Sequence, residues 1–171
     1  LLSDLRQQHP PSQLIVVDGG SRDRTVALAL PLCDLVLLSA RGRAVQMNMG
    51  GQVACSEYIL FLHADSRPSF SAVQLDAHLT KRPQWGFCRV HLSGSLVMFR
   101  VIEWFMNQRS RLTSVATGDQ MLFLQKSVFD ATGGFDAMPL MEDVAYCKRL
   151  RNLAPPLIIA EPVLTSSRRW E

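Results

Sequence analysis

Short, continuous runs of apolar residues, each bounded by turn-forming residues, recur along the first half of the chain. Such runs are typical of strands that are buried on both faces of a parallel sheet. The segments between them are helix-like, and the alternation predicts an α/β fold with right-handed crossovers. The predicted strands are residues 14–18, 34–38 and 58–62, and the predicted helices are residues 1–8, 24–30, 44–55 and a fourth from Ser69 or Ser71 to about Leu79.

The second half of the chain is less regular. Its predicted strands are residues 86–92, 119–125 and 157–159, and its predicted helices are residues 95–112 and 142–152. We therefore expect a mostly parallel sheet flanked by helices, with one antiparallel strand inserted in the second half. Trp104 and Phe105 lie on the apolar side of the helix at 95–112. Packing of that side into the core is the default, and a dimer interface or a lipid-facing surface are the alternatives.

The start and the length of the chain bear on its domain organisation. An α/β domain rarely starts on a helix without a preceding strand, so we expect an N-terminal strand to be missing. With 171 residues, of which 47% are hydrophobic, the chain can build one substantial core and is expected to form a single domain over residues 1–171.

Charge and cysteine content narrow the function classes. The net charge of +3 suits an anionic ligand, but no stretch gathers the basic residues, so no nucleic-acid partner is expected. The four cysteines form no CxxC pair, and most are expected to be buried thiols in a reducing compartment. Neither an apolar run of ~18 residues nor a signal peptide is recognisable. We therefore expect a cytoplasmic location, with peripheral membrane contact left open.

Two aspartates, Asp18 and Asp65, stand at the carboxyl ends of predicted strands. Ligands of open α/β sheets bind at this edge. A single aspartate there is most simply a turn or cap residue, but two at matching places, together with the turn at Gly19 and Gly20, favour a ligand site. The glycines match neither the dinucleotide fingerprint nor a P-loop, which argues against a dehydrogenase.

His63 and Asp65 lie two residues apart on an extended segment, which places both side chains on one side. One carboxylate is enough for Mg²⁺ or Mn²⁺ that is shared with a diphosphate. His63 would favour Mn²⁺ as a second ligand, and a hydrogen bond from His63 to the backbone is an equally good interpretation.

Two further polar segments are candidates for chemistry. Glu142 and Asp143 open a helix, where acidic residues are favoured by the helix dipole, but a flexible Gly-Gly loop precedes them and could bring a catalytic base to a site. Asp119 and Gln120 lie in a polar loop before an apolar strand, which suits sugar or acceptor contacts.

Four segments, in the same order along the chain, resemble the signature of family 2 glycosyltransferases. They are Val-Asp-Gly-Gly-Ser-Arg-Asp-Arg-Thr at 17–25, Gly-Arg-Ala with Asn48 and Gly50 at 42–50, Phe-Leu-His-Ala-Asp at 61–65, and Gly-Gly-Phe followed by Met-Glu-Asp at 133–143. The subgroup known as rSAM/selenodomain-associated transferase 2 is the most similar, because it shares Gly-Arg-Ala-x-Gln-Met-Asn and Thr-Gly-Asp-Gln.

This resemblance implies a GT-A fold, a nucleotide-diphosphate sugar donor that is often UDP-linked, and a divalent metal, Mn²⁺ or Mg²⁺. It implies a nucleotide-binding half at about 1–92 and an acceptor half at about 93–171. Asp18 would contact the nucleoside and Asp65 the metal, with His63 beside it. Asp143, with Glu142 beside it, would be the base of an inverting transfer. The remaining candidate donor contacts are Gly19, Gly20, Ser21, Arg43, Asn48, Ala64, Asp119, Gln120, Arg169 and Trp170.

Departures from the family pattern keep a second hypothesis open. Gly19 replaces the second aspartate of the first segment, and His63 replaces the first aspartate of the Asp-x-Asp segment. Arg169 and Trp170 follow Ser166, where processive members have glutamine, so a processive synthase is not expected. An active, metal-dependent transferase is favoured over an impaired binding or regulatory module, and a nucleotidyltransferase is weaker still. A sugar, a lipid and a small molecule are the candidate acceptors. A homodimer is a further alternative.

Overall fold

The computed structural model describes residues 1–9 and 12–167. The strands are β1 (Ile15–Asp18), β2 (Leu35–Leu38), β3 (Tyr58–Phe61), β4 (Ser66–Pro68), β5 (Trp85–Leu92), β6 (Leu122–Gln125) and β7 (Leu157–Thr165). The α-helices are α1 (Leu2–Gln8), α2 (Thr25–Ala29), α3 (Arg43–Val53), α4 (Ala72–Leu79), α5 (Val97–Thr113), α6 (Lys126–Thr132) and α7 (Glu142–Leu150). Single 3₁₀ turns cover Leu30–Leu32 and Gly118–Gln120.

The strands form two sheets. β1 and β2 pair in parallel, with Ile15 opposite Leu35. The larger sheet has the order β3-β6-β5-β7-β4. Within it β5 and β7 are parallel, whereas the other three pairings are antiparallel. Consequently β3, β5 and β7 run in one direction, and β6 and β4 run in the other.

The predicted antiparallel strand in the second half is confirmed as β6, which lies between β3 and β5. Three of the four pairings of the larger sheet are nevertheless antiparallel, because β6 runs against both of its neighbours and β4, which was not predicted, runs against β7. β4 has three residues and ends on Pro68, which lacks a backbone N–H, and it forms the edge of the sheet. α6 was also not predicted, and β7 is much longer than the predicted strand at 157–159.

The core lies around β5 and β6, whose side chains are mostly buried because both strands are interior to the sheet. Trp85, Phe87 and Tyr146 are the largest side chains of its main cluster. Gly86 lets β5 approach β7 closely, since a Cβ built there would lie 2.1 Å from the backbone oxygen of Leu157. The main cluster includes residues of α7, and a second cluster around Cys88 and Phe123 takes the alternate residues of β5 and β6.

Helix α3 connects the two sheets. Gly50 packs against Val17 of β1, and Gly51 packs against Phe129 of α6, so that glycines on two sides of the helix allow close approach in both directions. Within the described residues, β1 pairs only with β2 and β3 pairs only with β6. The expectation of a further strand ahead of α1 stays a prediction.

Helix α5 reverses the expected orientation of its aromatic residues. Trp104 is 56% exposed and Phe105 is 62% exposed, so their predicted packing into the core is wrong. The inward face carries Asn107, whose side-chain amide donates to the backbone oxygen of Val90 and accepts from its N–H. β5 pairs with β6 only at Trp85 and Gly86, so Asn107 supplies hydrogen bonds that β6 does not.

The cysteines are free thiols, as expected, but they are not all buried. Cys88 and Cys147 are buried, and burial raises the pKa of the Cys147 thiol to about 12. Cys55 is exposed, which corrects its expected burial, because it follows the end of α3. None of the helices among residues 1–9 and 12–167 has the length and apolar character needed to cross a membrane.

Candidate active site

Asp18 ends β1 and organises the turn that follows it. Its Oδ2 accepts hydrogen bonds from the backbone N–H groups of Gly20 and Ser21, both at 2.9 Å, and its Oδ1 accepts from the Ser21 hydroxyl. These bonds, that from the Ser21 hydroxyl foremost, lower the pKa of Asp18. Gly20 adopts a φ of 88°, which explains a glycine at this position. The turn is therefore fixed with an ionised carboxylate at its centre.

Gln46 of α3 completes this turn, although it was not among the predicted site residues. Its amide donates to the backbone oxygen of Val17 at 3.0 Å. A Cβ built on Gly19 would lie 3.0 Å from the same amide, so the small residue at 19 leaves room for Gln46. The available signal was the Gly-Arg-Ala-x-Gln-Met-Asn segment, in which this glutamine occurs.

Arg43, the first residue of α3, forms the centre of a second cluster. Its Nη2 lies 2.7 Å from both ring nitrogens of His63, and its Nε lies 3.5 Å from a carboxylate oxygen of Glu142. Glu142 is buried and Arg43 is half-exposed. One cation therefore links the end of β3 to the start of α7 and presents part of its guanidinium to solvent.

The 3₁₀ turn Gly118–Gln120 closes this cluster from the other side. Asp119 lies 3.6 Å from Nδ1 of His63. A Cβ built on Gly118 would lie 2.0 Å from Cε1 of His63, so only glycine leaves space for the imidazole. Gly118 is thus a further residue of the site, and the shared Thr-Gly-Asp-Gln segment was the signal that could have identified it.

Asp143, at the start of α7, meets the same turn. Its Oδ2 accepts a hydrogen bond of 2.6 Å from the backbone N–H of Gly118, and its Oδ1 accepts from the N–H of Val144. Each oxygen is thereby oriented and still retains acceptor capacity. Five of the predicted site residues therefore lie together in one cluster, and their roles stay predictions. They are Arg43, His63, Asp119, Glu142 and Asp143.

Asp65 and Ala64 are both exposed and lie in the turn between β3 and β4. They line a surface depression with Leu1, Ser66 and Arg67. The carboxylate of Asp65 has one long hydrogen bond, of 3.5 Å, from the Ser66 hydroxyl. Asp65 therefore presents its oxygens outward at the end of β3, whereas His63 points into the cluster around Arg43.

Asp65 and His63 differ in how well they would bind a divalent metal. Asp65 suits a hard cation that is shared with a diphosphate, because such a cation needs only one or two protein carboxylates. His63 does not suit the predicted role of metal ligand, because the guanidinium of Arg43 lies against its ring nitrogens and would repel a cation. In the described part of the chain, no group of three or more His, Cys, Asp or Glu side chains could hold a metal.

Two predicted donor contacts have structural roles here. Gln120 is completely buried, and its side-chain oxygen accepts from Ser110 and from the N–H of Thr117. It holds the turn and has no surface for a ligand, which corrects the prediction of direct contact. Asn48 binds the backbone N–H and oxygen of Phe135, both at 2.8 Å, so a nucleotide contact for Asn48 stays a prediction. Arg169 and Trp170 lie outside the described residues.

Comparison with solved structures shows the fold of this domain. TarS of S. aureus, solved over residues 1–349, superposes with a TM-score of 0.74 at 16% identity, covering 98% of this chain and 56% of that one. Mannosyltransferase PcManGT from Pyrobaculum calidifontis superposes with a TM-score of 0.65 at 19% identity, covering 96% and 51%. The fold is the GT-A fold of nucleotide-diphosphosugar transferases.

Sequence comparison then identifies the family. Residues 1–135 match the family described as glycosyl transferase family 2. The chain belongs to that family. No curated protein sequence matches the chain, and the assignment to the rSAM-associated subgroup stays a prediction. The chain spans about half the length of the solved structures that it resembles.

Proposed function

We propose that this domain transfers a sugar from a nucleotide-diphosphate sugar to an acceptor hydroxyl. The observation that carries the proposal is the convergence of Arg43, His63, Gly118 and Asp143, from four separate segments, on one cluster. Structural relatives bind such donors: TarS has been solved with UDP and with UDP-GlcNAc, and PcManGT with GDP-Man and Mn²⁺. A UDP-linked donor is proposed here.

The donor's nucleoside is proposed to bind at the turn after β1. Asp18 is ionised and held by Ser21, so it can accept from a ribose hydroxyl or a base N–H without first reorganising. Gly20 has open space where a side chain would project, which allows a base or ribose to approach the backbone there. Arg43 is half-exposed and supplies a positive charge for the diphosphate.

Asp65 would hold a divalent metal, Mn²⁺ or Mg²⁺, together with the donor's phosphates. Such an ion neutralises charge on the departing diphosphate. The protein's own contribution is the exposed carboxylate at the end of β3 and the adjacent Ala64, whose small side chain leaves space above it. Arg67 lines the same depression, but its guanidinium is ion-paired with Asp4 at 2.9 Å and not with Asp65.

Asp143 is proposed as the base of an inverting transfer. The acceptor oxygen forms a bond to the anomeric carbon while the bond from that carbon to the diphosphate oxygen breaks. The nucleoside diphosphate leaves with the electron pair, and the acceptor's proton passes to the carboxylate of Asp143. The Gly118 N–H orients that carboxylate, and Glu142 holds Arg43 beside it.

Donor binding and donor turnover can be tested without knowing the acceptor. The chain is mixed with a panel of UDP- and GDP-linked sugars, with and without Mn²⁺, and thermal shift and release of nucleoside diphosphate are measured. The proposal predicts a metal-dependent stabilisation by one donor class and slow hydrolysis of that donor by water. Binding without hydrolysis or transfer would favour a regulatory module, and no metal-dependent binding of any nucleotide would contradict both.

Two variants test whether Asp65 is the metal ligand. Asp65→Ala should abolish the Mn²⁺ dependence of the thermal shift, because it removes the proposed ligand. Asp76→Ala is the matched control, since Asp76 is an exposed aspartate of α4 that is not among the proposed site residues. An unchanged metal response in Asp65→Ala would exclude Asp65 as the ligand.

A further inference from the structure

The outward face of α5 carries an unusual concentration of exposed apolar side chains. Six residues of the helix and the residue before it form this face, which we call the α5 stripe. They are Leu96, Val97, Met98, Val101, Trp104, Phe105 and Leu112. Trp104 and Phe105 contact each other edge to face, with ring centroids 4.9 Å apart. Exposed apolar side chains gathered on one face of a helix are typical of an interaction surface.

The charges of the helix are arranged around this stripe. With about 100° between successive residues of a helix, Arg109 falls on one margin of the stripe and Arg111 on the other, and both are exposed. Arg100 lies on the same side as Arg111. The one acid of the helix, Glu103, faces inward, where it pairs with Arg100 and His91. The exposed side of α5 is therefore apolar with cationic margins.

We propose that the α5 stripe docks on the surface of a lipid bilayer that contains anionic lipids. Amphipathic helices with arginines on the margins and Trp, Phe and Leu on the apolar face lie in the plane of the headgroup boundary. The 17 residues of α5 include several charged side chains and suit this orientation. The inference does not depend on the proposed sugar transfer, because it uses only the exposed face of α5.

The same charges distinguish the bilayer from a second copy of the chain. In a symmetric dimer through the stripe, the arginines of both copies would line one interface, and α5 offers no exposed acid to pair with them. Lipid phosphates at both margins would neutralise Arg109 and Arg111 while the aromatic pair enters the acyl boundary. Charge complementarity therefore favours anionic lipid.

The C-terminal end of α5 is joined to the candidate active site by a short segment. α5 ends at Thr113, and the turn Gly118–Gln120 that contacts His63 and Asp143 follows after four residues. Arg151 donates to the backbone oxygen of Thr113 and fixes this end of the helix to the segment after α7. The end of α5 is therefore coupled to the cluster by short, bonded segments.

Co-sedimentation with vesicles tests the proposal on the unmodified chain. Vesicles of phosphatidylcholine alone are compared with vesicles that also contain phosphatidylglycerol, at low and at high salt. Binding to the anionic vesicles that weakens with salt is expected. Replacing Arg109 or Arg111 by Gln should lower the partition coefficient about fivefold for each residue. Absence of binding to anionic vesicles at low salt would overturn the proposal.

Two variants test the apolar contribution, and Trp104 provides a second measurement. Phe105→Glu should reduce anionic-vesicle binding at least tenfold, whereas Val73→Glu on α4 should leave it unchanged, since Val73 is comparably exposed outside the stripe. Tryptophan fluorescence should shift to shorter wavelength on binding, and the shift should be lost in Trp104→Phe, which retains Trp170 and the fully buried Trp85. Equal effects of the two glutamates, or a dimer that Phe105→Glu dissociates without any vesicle binding, would contradict the account.

Discussion

The side chain of His63 has space only because residue 118 is glycine. The imidazole occupies the volume that any side chain at 118 would need, and it lies between the guanidinium of Arg43 and the carboxylate of Asp119. The histidine that replaces an acidic residue of the family pattern is therefore part of a charged cluster. We therefore expect His63 to position Arg43 and not to bind a metal.

Gly118→Ala tests this dependence. The new Cβ would lie 2.0 Å from the imidazole and must displace it, so we expect a loss of about 1–3 kcal/mol in the free energy of unfolding. In a His63→Ala background the same substitution should cost less, because the ring is absent. Urea unfolding of both single variants and the double variant gives the coupling energy. Additive effects would show that the two residues are independent.

The Asp18 turn should make stability depend on pH in a defined direction. Hydrogen bonds from Ser21 and Gly20 lower the pKa of Asp18 in the folded chain. Between that pKa and the unfolded value of about 3.9, the unfolded state binds more protons, so this contribution rises with pH. It is complete above the unfolded pKa and is lost as pH falls through the folded pKa.

Ser21→Ala reports on this contribution. The variant should be less stable than the unmodified chain near neutral pH, and the difference should shrink as pH falls through the pKa of Asp18 in the folded chain. Urea unfolding of both proteins over a pH series measures it. A difference that is the same at every pH would mean that Ser21 acts on stability without involving the carboxylate of Asp18.

At the level of elements, α5 shows why its inward face could not be recognised from the pattern alone. Apolar residues at helical spacing normally indicate the buried side. Here the buried side mixes the apolar Phe99 with the polar Asn107 and Glu103. The two polar side chains bond backbone groups of Val90 and Leu92, because β5 extends beyond β6 and needs hydrogen-bond partners there. The apolar side is consequently left on the surface.

Asn107→Ala tests whether α5 is held by these bonds. It leaves the backbone N–H and oxygen of Val90 unpaired, and each buried polar group left without a partner costs about 1–3 kcal/mol. Gln108→Ala, at the next position of the same helix, should change stability by no more than about 0.5 kcal/mol. Urea unfolding measures both, and equal effects would show that α5 does not depend on Asn107.

At the level of the whole molecule, the sequence predicted the elements of the first half except β4, and the edge of the sheet where the candidate site lies. The apolar runs before Asp18 and His63 were sufficient for this, because buried strands have few other interpretations. β4 and α6 were not predicted. β4 is three residues long and contains proline, and α6 follows β6 without an intervening turn residue, so neither leaves a periodic signal.

The candidate site was predictable as a set of residues and less so as a geometry. Arg43, Glu142 and Asp143 were each assigned to it from motifs, and the structure places them in one cluster. The buried roles of Gln120 and Asn48 depend on contacts with Ser110 and Phe135, which are distant from them in sequence or lie in other elements. Spacing along the chain carries no information on such contacts.

The most direct test of the central claim is the effect of Asp143→Asn on binding and on turnover of one nucleotide sugar, measured in parallel. Asparagine preserves the size of the side chain and can still accept from the Gly118 N–H through its oxygen. If Asp143 is the base, the donor dissociation constant should stay within about twofold, while hydrolysis or transfer falls by roughly 10²–10⁴-fold. A parallel loss of donor binding, or unchanged turnover, would contradict the account.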